Sequence, residues 1–358
     1  MTSCIKSRDM WMTFFIGSYT EYPMPGFGGV GQGIYTVSLN TKTGELKHVH
    51  SKKERNPSYL AISNDNRFLY CPTELDEIES PRIRSYKVNK DFSLDFLNEQ
   101  PISGGYPCHV AVDPRSVFVA CYATGNIIQY PLYDDGKLGD AIVDYQHRGI
   151  GMDKDRQEGP HAHQIAVHPN GKDIYVCDLG IDTIKAYRYD GAKLSPNAMG
   201  DCPVSKGSGP RHLVFDSGGA RAFVINELKG NISVLGMSGE SYREIDIYPF
   251  LPRNYMGKPS ASAIRIHPNG LFLYAANRRS ETITVFSITK KKLELVGCIQ
   301  TGGEELREFN ITPDGQWLLA CHQNSHDVVV YGIKEDGMLS EKFRTKEILS
   351  PVCVTFLN

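Results

Sequence analysis

The sequence predicts an all-β protein, a seven-bladed β-propeller with four antiparallel strands per blade. Three observations point there. First, the 358 residues include 34 Gly, 20 Pro and 19 Tyr, a composition of short strands and tight turns rather than long helices. Second, one unit recurs: an apolar strand, a turn of the type Asp/His/Thr-Pro-x-Gly, a second apolar strand, a polar loop and a third strand. The turn falls at Asn64, Pro114, Pro169, Ser217, Pro268 and Pro313, at intervals of 50, 55, 48, 51 and 45 residues. Such a period with four strands per unit reads as a propeller blade, and about seven units fit the chain. Third, the ends complement each other. Pro351-Val-Cys-Val-Thr-Phe356 matches the inner strand of a unit, and Met12-Thr-Phe-Phe-Ile-Gly17 matches a second strand. The C-terminus is therefore expected to supply the innermost strand of the blade that the N-terminus begins, which removes open sheet edges.

In chain order, residues 1–10 read as an N-terminal tail and residues 11–358 as a single propeller domain. Within each unit Pro and Gly set the hairpin reversal. Second turns such as TKTGEL (41–46), DDGKL (134–138) and EDGMLS (335–340) lead into fourth strands. Cys71, Cys121, Cys177 and Cys321 each end an apolar strand at one register and read as small buried hydrophobes. Nine cysteines, an odd number with no Cys-x-x-Cys, fit free thiols in a reducing compartment. A cytoplasmic location is expected. Thr-Ser-Cys4 resembles the end of a lipoprotein signal, and periplasmic or lipid-anchored placement is the alternative.

Composition excludes several classes. Lys and Arg number 39 against 41 Asp and Glu, a net charge of −2, which argues against a coat for nucleic acid or an anionic membrane. No apolar run approaches the roughly 18 residues that span a bilayer. Gly26, Gly28, Gly29, Gly31 and Gly33 form a glycine-rich loop between strands, without the Lys-Ser/Thr and helix of a phosphate loop. Neither a Gly-x-Ser-x-Gly elbow nor a Trp-Asp dipeptide occurs, which disfavours a serine hydrolase and a Trp-Asp repeat scaffold. His161-Ala-His163 could offer two ligands from one strand face, but no matching Asp or Cys lies nearby, so no metal and no cofactor is expected. His168 and His267 precede turn prolines and read as structural.

In a propeller, the residue six before the turn marker and the residue ending the returning strand lie near one face, close to the axis. The first position reads Val352, Ser58, Cys108, His163, Arg211, Ser262 and Arg307; the second reads Tyr19, Thr73, Ala123, Leu179, Glu227, Arg278 and Gln323. The first three blades supply mostly small or apolar groups. The last four supply His163, Arg211, Glu227, Arg278, Arg307 and Gln323. Inward charges are costly unless paired or wet. They form either a solvated ion-pair network or an anion-binding active site with an acid–base pair. Asn226 and Asn277 precede Glu227 and Arg278 and can support turns or, for Asn277, reach a ligand.

Ile16-Gly-Ser-Tyr-Thr20, Gly33-Ile-Tyr35, Gly159-Pro-His-Ala-His-Gln164, Gly209-Pro-Arg-His-Leu213, Asn226-Glu-Leu228 and Ala276-Asn-Arg278 resemble the propeller-type 6-phosphogluconolactonases, whose superfamily also holds fungal-type carboxymuconate cyclases. The resemblance runs from about Phe14 to Phe356. It implies metal-independent lactone chemistry, with His163, Arg211, Glu227 and Arg278 catalytic and His161 also fitting the histidine position. Leu306-Arg-Glu-Phe309 and Cys321-His-Gln323 depart from the expected Pro-Arg-x-Phe and Ala-Asn-Gln, which touches the roles of Arg307 and Gln323. The expected reaction is hydrolysis of a sugar lactone, foremost 6-phosphoglucono-1,5-lactone to 6-phosphogluconate. Arg211 or Arg278 would hold the oxyanion and Arg307 the phosphate. His161, Gln323 and Asn277 would bind substrate. His163 is favoured as base and Glu227 as orienter, because a Glu beside two Arg stays ionised. The alternatives are a carboxymuconate-type lactonising or delactonising enzyme and a non-catalytic propeller binding an anionic ligand or protein. The expected partner is a small anionic lactone, with no nucleic acid and no membrane span, on a monomer or weak dimer.

Overall fold

The computed structural model describes residues 10–24 and 26–357. The expectations placed on Cys4 and the rest of residues 1–9 fall outside them. The described residues form seven antiparallel sheets, each built on a four-strand path. Blade 1 runs outward from Pro351–Phe356 through Trp11–Ser18 and Ile34–Asn40 to Leu46–Lys52, so the two ends of the chain close one sheet. Ile16 pairs with Val354 and Phe14 with Phe356 in that closure. The inner strands of blades 2 to 7 are Ala61–Ile62, Pro107–Asp113, Ala162–Val167, Pro210–Phe215, Ala261–Ile266 and Leu306–Ile311. Blade 4 carries an addition to the plan, since Cys202–Pro203 also pairs with its third strand.

The repeated turn has a backbone cause. Its fourth residue takes a positive φ of 61° at Asn66, 68° at Gly171, 68° at Gly219, 75° at Gly270 and 73° at Gly315. Gly and Asn tolerate that region best, which is why the turn motif ends on them.

Strand alternation sends successive side chains to opposite faces of a blade, so each blade packs against both neighbours. Phe14 and Ile16 meet Trp317, Leu319 and Val330 of blade 7, while Phe15 meets Leu60, Leu69 and Tyr86 of blade 2. The apolar core is therefore divided among seven clusters, each between adjacent blades, and the axis is left to polar groups. Cys71, Cys121, Cys177 and Cys321 are fully buried in these clusters as unpaired thiols. Among the described residues no helix is long and apolar enough to cross a membrane.

The inner strands share an irregularity that the sequence did not reveal. Each ladder resolved next to the channel mouth contains a β-bulge. Val352 is the extra residue between Pro351 and Cys353, Cys108 between Pro107 and His109, His163 between Ala162 and Gln164, Arg211 between Pro210 and His212, and Arg307 between Leu306 and Glu308. In blade 6, Ser262 and Ala263 stand where the partner strand supplies one residue. A bulge breaks alternation and re-aims a side chain. In blades 5 and 7 both the bulged residue and its successor, Arg211 with His212 and Arg307 with Glu308, line the axial chamber.

Closure by the last strand is testable. A chain ending at Ser350 leaves Trp11–Ser18 as an exposed edge. It is expected to aggregate, or to unfold well below the full-length chain in a thermal melt. An unchanged melting midpoint would contradict closure.

Candidate active site

At the mouth of the channel lies an open cavity of about 670 Å³, within the range of small-molecule sites. Its wall includes His161, His163, Glu227, Arg278, Arg307 and Gln323 from the predicted set. Arg211 lines a smaller chamber of about 10 Å³, with Ser58, Tyr59, His212, Glu308 and Val352. Glu74, Cys108, His163 and Arg307 line both spaces, so the two are stacked along the axis.

Glu227 organises the arginines. It follows the second strand of blade 5 and is 5% exposed. Its Oε1 accepts from Arg156 Nη2 at 2.7 Å, while Oε2 faces Arg278 Nη2 at 2.9 Å and Arg211 Nε at 3.2 Å. Burial opposes its ionisation, but the charges of Arg278, Arg156 and Arg211 overcome that and hold the carboxyl down at about 2. Arg211 is pushed the other way, down to about 10, by burial and by Arg278 and Arg307. It remains a cation at neutral pH, donating to the Ser262 carbonyl.

His163 sits under this cluster with its Nδ1 buried and unpartnered. Burial, then Arg211 and Arg307, drive its pKa well below the usual imidazole value, so the ring is neutral at physiological pH. A floor of rings lies beneath: His212 is 5.1 Å from His163, His109 is 6.0 Å from His212, and Tyr59 packs in a tilted arrangement 4.1 Å from His109. Burial and nearby arginines keep both floor histidines neutral, His109 down at about 3. Arg265 and Glu308 form an ion pair at 3.0 Å beside these rings, with the Glu308 side chain buried.

Several expectations are refined. His161 lies on the wall, but its Nδ1 meets the Tyr122 carbonyl at 2.8 Å, its Nε2 meets Glu158 at 3.1 Å, and its ring stacks on Tyr122. It is a wall residue whose polar atoms are engaged. Asn277 does not reach the cavity. Its Oδ1 accepts from the Ser260 amide at 2.8 Å and its Nδ2 donates to Ser280 at 2.8 Å, so it braces its own blade, and its assignment to substrate is corrected. Gln323 donates to the Gly28 carbonyl and leaves Oε1 buried without a partner. Arg307 donates to Tyr19 at 2.8 Å and lies over the Tyr19 and Phe27 rings. Among the described residues no group of three or more His, Cys, Asp or Glu is set to hold a metal ion.

Sequence reading also missed residues. The ladders pair Cys121 with Asn126 and Asn226 with Asn231. Pro72 pairs with Ile83 and Thr73 bonds to Arg82, so the counterpart of Glu227 is Glu74 in blade 2 and Tyr122 in blade 3, each one place from the Thr73 and Ala123 that the repeat spacing indicates. Arg156 comes from the long connection between Gln146 and Ala162, where no repeat register applies. With these included, Arg156, Arg278, Arg279 and Arg307 face Glu74, Glu158, Glu227 and Glu305 around the cavity. The mouth is thus rich in both charges, rather than simply positive.

The comparisons with known proteins agree with this architecture. The family model described as "Lactonase, 7-bladed beta-propeller" matches residues 13–356. A Bacillus subtilis protein named 6-phosphogluconolactonase is 31% identical over 353 residues, covering 96% of this chain and 98% of the relative. A crystal structure from Bacteroides fragilis superposes with a TM-score of 0.90 at 29% identity, covering 98% of this chain and 99% of that one. The periplasmic gluconolactonase of Pseudomonas aeruginosa gives 0.88 at 25% identity, covering 97% and 99%. With its propeller closed by both termini and its arginine-clamped carboxylate at the channel mouth, the chain belongs to the seven-bladed β-propeller lactonase family and is a lactonase enzyme.

Proposed function

We propose that the protein hydrolyses 6-phosphoglucono-1,5-lactone to 6-phosphogluconate, by acid–base chemistry on the residues at the cavity floor. One observation carries the reading. A neutral, buried imidazole, His163, lines the same cavity as arginines fixed by a single carboxylate. The name of the Bacillus subtilis relative supports this substrate.

In this reading the lactone carbonyl lies near His163, which takes a proton from the attacking water. Its low basicity reflects burial first and then the charges of Arg211 and Arg307, which an anionic substrate or developing oxyanion offsets. Arg307 and Arg278 hold the oxyanion, where fixed cations in a dry site act most strongly. Glu227 is ionised throughout and has no proton to give, so it acts as the clamp that sets the arginine positions. Arg307 is partly buried and tied to Tyr19, which fits the reacting end of the substrate. The phosphate at the far end of the sugar is better matched by Arg279, exposed at the cavity rim.

Two outcomes follow. Because the His163 pKa is lowered, the base stays unprotonated below the ordinary imidazole range. The kcat/KM for lactone hydrolysis, followed by proton release above the spontaneous rate, is expected not to fall between roughly pH 7 and roughly pH 5. His163→Ala is expected to lose about 100-fold or more. An acid limb near the ordinary imidazole value, or full activity in His163→Ala, would contradict the assignment. Separately, Arg279→Ala is expected to raise KM about tenfold for the phosphorylated lactone, with little change for glucono-1,5-lactone. Equal effects on both would remove Arg279 from phosphate binding.

A further inference from the structure

Opening the lactone ring requires a proton on the departing ring oxygen, and Glu227 holds none. Resting on the lactonase reading above, we infer that Glu74 is the proton donor to that oxygen, a second carboxyl set across the channel from Glu227. The ladder register places it at the same step of blade 2 that Glu227 occupies in blade 5, three blades away around the ring. It lines the substrate cavity and is only 3% exposed. Its Oε2 accepts from the Tyr19 hydroxyl at 2.9 Å, and that same hydroxyl accepts from Arg307 Nη2 at 2.8 Å. The carboxyl is thereby fixed in place through a neutral intermediary, whereas Glu227 is gripped directly by guanidiniums.

The surroundings of the two carboxyls differ in kind. Glu74 faces Tyr19 from blade 1, Ser58 on its own blade, Tyr106 and Cys108 from blade 3, Arg211 from blade 5 and Arg307 from blade 7. Burial raises its pKa, and the pull of Arg307, the Ser58 and Tyr19 hydroxyls and Arg211 does not cancel that. Their environments push the two carboxyls in opposite directions, the pattern that separates a proton donor from a carboxylate that stays ionised.

The step balances. Water oxygen bonds to the lactone carbonyl carbon and gives a proton to His163. The bond from that carbon to the ring oxygen breaks, and the ring oxygen takes the Glu74 proton. The protonated His163 and the Glu74 carboxylate then face the chamber beneath, which both line with Ser58 and Arg211. At about 10 Å³ it has room for one water, and the His163 Nδ1 is buried without a hydrogen-bond partner. Through that water the proton returns from His163 to Glu74, and the product acid ionises to solvent.

The test compares 6-phosphoglucono-1,5-lactone with its analogue bearing sulfur in the ring, both freshly generated. A thiolate leaves without protonation. Glu74→Gln is expected to lower kcat/KM about 100-fold on the oxygen lactone and only a few-fold on the sulfur analogue. In the wild-type enzyme the rate on the oxygen lactone is expected to fall as Glu74 loses its proton with rising pH, with no matching fall for the analogue. This second reading needs no variant to fold. Activity of Glu74→Gln within about twofold of wild type, equal loss on both probes, or identical wild-type alkaline limbs would overturn the inference. A wild-type enzyme inert toward the oxygen lactone would instead overturn the substrate reading.

Discussion

A single carboxylate sets the charge arrangement of this channel. Glu227 is desolvated and would be costly to ionise alone, yet three guanidiniums converge on its two oxygens. Each arginine comes from a different part of the ring: Arg211 from the inner strand of blade 5, Arg278 from the exit of blade 6, Arg156 from the connection between blades 3 and 4. Arg211 and Arg278 are themselves buried, so neither can move far from Glu227 without leaving a buried charge uncompensated. Their orientation toward the cavity is therefore fixed before any substrate arrives, which is the condition for electrostatic stabilisation without reorganisation.

The backbone makes that convergence possible through two devices. Sharing of the core among inter-blade clusters leaves the axis free of apolar packing, so polar side chains can occupy it. The bulge in the inner strands then turns adjacent residues inward, Arg211 with His212 and Arg307 with Glu308. The upper residue of each pair faces the chemistry and the lower one builds the floor. Neutral His109, His212 and Tyr59 close the floor with little charge of their own. The arginine field above is consequently directed at the cavity.

Much of this was legible in the sequence, for a physical reason. Turns that need a left-handed residue at their fourth position must repeat Gly or Asn, so the blade period is written at Gly171, Gly219, Gly270 and Gly315. The complementary ends follow from the need to cover an edge strand. The register argument placed His163, Arg211, Glu227 and Arg278 at one mouth; the structure puts His163, Glu227 and Arg278 on the cavity wall and Arg211 in the adjoining chamber, against Glu227. What escaped lies where the repeat is broken. Glu74 follows a second strand whose exit, Cys71-Pro-Thr-Glu-Leu75, departs from the pattern, and a one-place error in a period-two element selects the wrong face. Arg156 sits in a connection with no internal period. Asn277 was misjudged because its neighbour Arg278 faces the cavity, and the alternation that exposes one buries the other.

The most direct measurement is a crystal structure with 6-phosphogluconate bound. The account expects its carboxylate at the cavity floor against His163 and Arg307, with the phosphate at the rim beside Arg279 and the Glu227 clamp unchanged. Product bound on another face of the disc, or in this cavity with its phosphate buried at Arg307 and its carboxylate outward, would contradict it.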